Sequence, residues 1–171
     1  MTAPLVVLVG PPGTGKTTVG MLVAERLGVA FRDSDADIVA MARKPIPQIF
    51  SEDGEPHFRL LERGAVRVAV AAHRGVLALG GGAVTDEDTR ALLRGLPVVF
   101  LDVDLNEAIR RLDLDTPRPL LALDLRQRWR KLMEQRRPLY CEVSRVVVST
   151  SGRTPDLVAD AVIAALELAR A

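Results

Sequence analysis

The chain has 171 residues but a single cysteine, Cys141, so no internal disulfide framework can form, and that scarcity fits a reducing compartment. A cysteine nucleophile needs a base beside it; Cys141 reads as a small, part-buried side chain. Histidine occurs twice, at His57 and His73, with no metal-ligand spacing, and both read as helix-surface residues. Asparagine occurs once, Asn106, followed by Glu107. The Asn-Lys-x-Asp element that reads guanine is therefore absent, which excludes a GTPase switch. No apolar run approaches the ~20 residues of a membrane helix. The opening "MTAPLVVLVG" lacks a basic n-region and reads as a strand rather than a secretion signal. The formal charge of +1 is too small for a typical nucleic-acid binder. These absences lead us to expect a cytoplasmic protein with no membrane or nucleic-acid partner, acting as a monomer.

Apolar residues make up 48% and charged residues 26%, a balance that supports one domain with a full core. Short β-branched runs alternate with helical patterns. Strands are expected over residues 5–9, 29–32, 76–79, 98–101 and 146–149. Helices are expected over 16–27, 86–94, 105–112, 125–137 and 155–169. A helical stretch over 36–72 is broken near Pro45 and Pro47 and again near Gly54 and Pro56. Alternation of this kind predicts a parallel sheet with helices on both faces and ligands beyond the carboxyl ends of the strands. Met21, Met41 and Met133 read as core filling. Trp129, in "RQRWRKLMEQRR", reads as part of a solvated basic helix face.

"GPPGTGKTT", Gly10 to Thr18, matches G-x-x-x-x-G-K-[ST] between an apolar strand and an amphipathic helix. Glycines let the backbone curl with its N–H groups inward, and the helix adds its positive end. Gly13, Thr14, Gly15, Lys16, Thr17 and Thr18 are thus candidate ATP ligands. Lys16 can reach the terminal phosphates, and the Thr17 hydroxyl suits Mg²⁺, a hard cation. Many P-loop proteins place a metal acid at the end of a later strand. The strand of "VLALGGGAV" ends instead in Gly80, Gly81 and Gly82, leaving Asp33 and Asp102 to compete for that role.

"FRDSDAD" follows the second predicted strand. Its Asp33 and Asp35 would repel beside a phosphate site unless a cation and a substrate proton engage them; the bland alternative is a helix cap. In "DGEPHFRLLE", Arg59 and Glu62 stand three apart on one helix face, which alone would signify a surface ion pair.

Taken together, Arg59-x-x-Glu62, the triple glycine, the P-loop and Asp33-x-Asp35 resemble the shikimate kinase family. "RPLL" (118–121) and "RRPLY" (136–140) extend the similarity over nearly the whole chain. The resemblance implies an α/β, three-layer P-loop kinase fold of one domain (residues 1–171), with a five-stranded parallel sheet flanked by helices. It also implies a substrate-binding helical region near residues 34–62 and a mobile lid near 112–124. The implied reaction moves the γ-phosphate of ATP, with Mg²⁺, to the 3-hydroxyl of shikimate. Asp33 and Thr17 would serve the metal, and Asp35 the substrate hydroxyls. Arg59 and Arg136 would clamp the carboxylate, with Glu62 orienting Arg59. Gly80, Gly81 and Gly82 would border the substrate, Gly81 and Gly82 approaching it closely. Arg118 would reach the phosphates from the lid, and Arg111 and Arg153 would lie near the adenine. Lys16, Asp35 and Arg118 are the catalytic candidates. Phe50 and Phe58 would wall the ring or pack the core. A related kinase of another small hydroxy acid, such as gluconate, or of a nucleotide is the alternative; the two arginines favour a carboxylate.

Overall fold

A computed structural model describes residues 3–113 and 122–170. Five strands, β1 (Val6–Val9), β2 (Phe31–Asp33), β3 (Val76–Ala78), β4 (Val98–Asp102) and β5 (Val146–Ser149), form one sheet in the order β2-β3-β1-β4-β5. Every pairing is parallel. The helices are α1 (Lys16–Leu27), α2 (Ser34–Ala42), α3 (Ile46–Asp53), α4 (Glu55–Ala72), α5 (Glu87–Leu93), α6 (Leu105–Asp113), α7 (Ala122–Val143) and α8 (Pro155–Arg170).

The period-2 geometry of strands divides the core in two. Val6 and Leu8 of β1 join Val76, Ala78, Val99 and Leu101 beneath α1 and α8. Val7 and Val9 join Leu77, Val98 and Phe100 on the opposite face, with Trp129, Met133 and Tyr140 of α7. A sheet covered on both faces needs apolar residues at every position of its central strand, and all four residues of β1 are buried. A third cluster, Ile38, Ile49, Phe58 and Ala65, ties α2, α3 and α4 into a separate helical layer.

Registers pair Ala78 with both Leu8 and Asp33, and Asp102 with Ser149, so all five strands end along one edge. Gly10, the α2 N-terminus and the Gly80–Gly82 turn converge there. The expected lid, near residues 112–124 and including Arg118, lies largely outside the described residues.

Three local expectations change. The second strand occupies Phe31–Asp33 rather than residues 29–32, because those are the residues in register with β3. Helix α7 runs through Pro138 to Val143, where an end at residue 137 was expected. Proline costs one backbone bond, but continuation buries Tyr140 and Val143. Trp129 belongs to the core at 8% exposure, while Met21, Met41 and Cys141 are exposed. In each case an apolar or amphipathic helix pattern did not reveal which face the sheet would cover.

Candidate active site

The P-loop joins β1 to α1. Gly13 (φ 86°) and Gly15 (φ 79°) take left-handed conformations that side chains disfavour, and Gly15 caps α1. Buried Thr14 donates its hydroxyl to the Pro11 carbonyl at 3.2 Å, which stiffens the loop from within. The Lys16 Nζ donates to the carbonyls of Gly10 (2.8 Å) and Pro11 (3.0 Å). Burial pushes its pKa down to about 8, against the opposing pull of Asp35 and Asp33. An ammonium so poorly solvated gains strongly from a phosphate.

Asp33 ends β2 and caps α2, its Oδ1 accepting from the Asp35 N–H at 2.9 Å. Its other oxygen accepts from the Thr17 hydroxyl at 3.1 Å. One carboxylate therefore both starts a helix and faces the P-loop threonine, so the capping and functional readings hold together. This pair of hard oxygens fits a Mg²⁺ held jointly with nucleotide phosphates. Asp102, the competing acid, makes a two-bond ion pair with Arg137 at 2.7 and 2.9 Å. It does not line the P-loop cavity.

That cavity, about 360 Å³, is walled by the P-loop, Asp33, Asp35 and the turn after β3. Asp35 lies one turn into α2. Burial, then the nearby charge of Asp33, raises its pKa above the usual aspartate value, and Lys16 and Arg59 pull the other way. A carboxyl so placed is a better proton acceptor than a solvated one, because its basicity lies nearer neutral pH.

Arg59 and Glu62 are more than a surface pair. Arg59 Nη1 donates to Glu62 Oε1 at 2.7 Å, and the Glu62 side chain is 4% exposed. Burial raises the Glu62 pKa while Arg59 opposes the shift. Glu55 (3.3 Å) and the Phe58 ring (5.3 Å to its centre) further restrain the guanidinium. Phe58 is core, and half-exposed Phe50 packs on it with ring centres 4.6 Å apart. Arg136, on α7, lies close enough for its charge to act on Lys16 and Glu62. The site therefore opposes two arginines to three acids, Asp33, Asp35 and Glu62, around one lysine.

The glycine turn has a steric reason of its own. A Cβ on Gly80 would stand 2.6 Å from Asp35 Oδ1. One on Gly82 would stand 2.5 Å from both terminal nitrogens of Arg59, and one on Gly81 3.1 Å from Pro12 Cδ. Gly80 and Gly82 thus leave room for the side chains of Asp35 and Arg59. Two further residues, Ser34 and Tyr140, had been given no role at the glycine turn. Buried Ser34 accepts from the Gly80 N–H at 3.3 Å, and Tyr140 donates its hydroxyl to the Gly81 carbonyl at 2.5 Å. Tyr140 stands four residues after Arg136, the one signal that could have found it.

A second cavity of about 370 Å³ opens on the other side of the P-loop, between Arg111, Arg153 and Val158. Arg111 is committed to neighbours: it donates to the carbonyls of Gly13 (2.8 Å) and Thr150 (3.2 Å) and pairs with Glu107 at 2.8 Å. Arg153 is exposed and donates to the Ser149 carbonyl at 3.3 Å. Of the candidate residues, the structure brings Lys16, Thr17, Asp33, Asp35, Arg59, Gly80–Gly82 and Arg136 to one site. It puts Arg111 and Arg153 on an adjoining cleft. Arg118 lies outside the described residues.

A P-loop at the edge of a parallel sheet, with arginines and acids beside its cavity, is the arrangement of a P-loop small-molecule kinase. Comparison with known proteins narrows this. Residues 12–167 match the family model described as shikimate kinase. A shikimate kinase of Streptomyces avermitilis is 58% identical over 171 residues, covering 100% of both chains. The structure of a shikimate kinase from Acinetobacter baumannii in complex with shikimate superposes with a TM-score of 0.88 at 36% identity, over 99% of this chain and 95% of that one. A gluconokinase from Sinorhizobium meliloti 1021 matches with a TM-score of 0.61 and 24% identity, over 96% and 93% of the two chains, which shows a common fold alone. The chain belongs to the shikimate kinase family.

Proposed function

We propose a division of labour among these residues for the reaction of the family. The chain is an ATP-dependent kinase: it transfers the γ-phosphate of ATP to the 3-hydroxyl of shikimate, giving shikimate 3-phosphate and ADP on the way to aromatic amino acids. The observation that carries the assignment of roles is the convergence of Asp35, Arg59, Glu62 and Arg136 on the glycine turn beside Lys16.

Arg59 and Arg136 hold the substrate carboxylate, the planar fork matching two oxygens. Glu62 keeps Arg59 aimed, since its buried carboxylate has no better cation. With the acid group anchored there, the ring reaches toward Asp35, which accepts hydrogen bonds from ring hydroxyls and draws the proton from the attacking one. Burial of Asp35 serves this step. Phosphates of ATP settle on the P-loop N–H groups, and Lys16 exchanges its two carbonyl partners for phosphate oxygens. Phosphoryl transfer asks mainly for positioning and charge neutralisation. Thr17 and Asp33 would hold Mg²⁺, which would supply further neutralisation of phosphate charge. Arg118 would add to it from the lid. Arg111 and Arg153 flank the adenine, Arg111 by bracing the loop at Gly13 as much as by touching the base. We take the enzyme to act as a monomer. No described helix is long and apolar enough to cross a membrane, and we assign the enzyme to the cytoplasm.

A coupled ADP-release assay across shikimate, quinate, gluconate and AMP tests the reading. Turnover should be confined largely to shikimate; comparable rates on AMP or gluconate would overturn it.

A further inference from the structure

A bridge joins the start of α6 to the turn that follows β5. Asp104 stands just before α6, and its Oδ1 accepts from the Glu107 N–H at 2.8 Å, which fixes the first helical turn. The Asp104 N–H in turn donates to Ser151 Oγ at 2.9 Å. The Glu107 side chain makes a second crossing. Its Oε2 accepts from the Gly152 N–H at 2.8 Å, and its Oε1 from Arg111 Nη2 at 2.8 Å, one helical turn further along α6. The carboxylate is 12% exposed, so both bonds are largely shielded from water. Exposed Arg110, 3.6 Å from Oε1, adds little.

Both partners of Glu107 belong to the surroundings of the second cleft, and Glu107 itself does not. Arg111, Thr150 and Arg153 line that cleft with Gly13 and Pro155. Glu107 borders a separate surface hollow with Asp104, Asn106 and Gly152. The other hydrogen bonds of Ser151, Gly152 and Arg153 run back to Ser149 and Thr150, so Asp104 and Glu107 are what fasten this turn to α6. Arg111 divides its donors. Nη1 serves the Gly13 carbonyl at 2.8 Å and Thr150 Oγ1 at 3.3 Å, and Nη2 serves Glu107 and the Thr150 carbonyl. Loss of the Glu107 bond therefore leaves the tie from Arg111 to the P-loop in place.

We propose that Glu107 is a positioning residue for the nucleotide base: by bonding Arg111 and Gly152 at once, it holds the arginine and the turn at one fixed spacing along the cleft. The inference rests on the reading that puts the base between Arg111 and Arg153. Glu107 touches neither base nor phosphate and acts through its two partners.

The test is Glu107→Gln, which keeps the size of the side chain. A carboxylate accepts at both oxygens, whereas an amide accepts at one end and donates at the other, so either Arg111 or Gly152 must then face an N–H. Calorimetric titration should show ADP binding about tenfold weaker, with inorganic tripolyphosphate within twofold of wild type because the P-loop keeps its tie. The KM for ATP should rise in step while the KM for shikimate stays within twofold. Glu107→Asp retains the charge but is one methylene too short to span both partners, and it should not restore ADP binding. The placing of the base is checked separately in the wild-type enzyme: by NMR, ADP should shift the Arg153 and Val158 amides beyond what tripolyphosphate produces. Absence of those shifts would move the base elsewhere, and the reading of the cleft would fall together with this inference. With those shifts present, the role of Glu107 alone would be overturned by ADP affinity within twofold of wild type in Glu107→Gln, by equal weakening of ADP and tripolyphosphate, or by full restoration in Glu107→Asp.

Discussion

Substituting Gly82 by alanine isolates the steric argument for the glycine turn. Gly82 sits at φ −99° and ψ 1°, a conformation open to alanine, so backbone strain contributes little. The added methyl would lie 2.5 Å from both terminal nitrogens of Arg59 and 2.7 Å from its Cζ. Ordinary contact at about 3.5 Å requires the guanidinium to retreat by roughly 1 Å. Arginine is long and hinged, so the fold should survive. The 2.7 Å bond to buried Glu62 would not survive unchanged, nor would the fork presented to the substrate. A hydrogen bond between charged groups contributes about 1.5–3 kcal/mol, so shikimate affinity should fall about 10- to 150-fold. Gly80→Ala is the companion: its methyl meets Asp35 Oδ1 at 2.6 Å, so it should lower kcat more than it changes shikimate affinity. Steady-state kinetics with each substrate varied, and calorimetric titration of shikimate, separate the two. A Gly82→Ala enzyme with shikimate Kd within twofold of wild type, or with ATP binding equally damaged, would refute the idea that this glycine exists to admit Arg59.

Lys16→Met should abolish most turnover yet stabilise the free protein. The fall of the Lys16 pKa from 10.5 to about 8 shows that burial of its charge opposes folding by about 3 kcal/mol, more than the two carbonyl bonds return, so the variant should be the more stable in denaturant melting. The unfolded chain binds the extra proton between pH 8 and 10.5, so wild-type stability should rise with pH across that window through this group. Because ATP needs the charged lysine, kcat/KM for ATP should decline as pH rises through about 8; a flat profile to pH 9.5 would count against Lys16 as the phosphate ligand. Asp35→Asn should lose most of kcat and also the acid limb of the shikimate kcat/KM profile, whose midpoint lies above the ordinary aspartate value because burial favours the protonated form. Asp33→Asn should raise the Mg²⁺ concentration for half-maximal activity, whereas Asp102→Asn, paired with half-exposed Arg137, should cost only about 0.5–1 kcal/mol of stability; the reverse pattern in a Mg²⁺ titration would move the metal acid to Asp102.

Much of this protein is written in short-range patterns that need no tertiary knowledge. The P-loop is a local anion cradle, and its glycines, lysine and threonine can be recognised wherever they stand between a strand and a helix. Alternating apolar runs and helical periods likewise force a parallel, doubly covered sheet, which in turn sends every strand end to one edge. Even the breaks at Pro45 and Gly54 fall where α2, α3 and α4 separate. Other decisions required the assembled fold. Asp33 and Asp102 each end a strand in the same sheet, yet only the order of strands puts one beside Thr17 and gives the other to Arg137. Arg59 and Glu62 read as a surface pair until the helical layer buries the glutamate. The glycine turn could be seen, but not its steric reason, since the side chains that fill its missing Cβ positions come from α2, α4 and the P-loop. Tyr140 was hidden behind a proline that ordinarily ends a helix. Side-chain packing against Phe100 outweighed one lost backbone bond, and such a balance is struck only between elements distant in sequence.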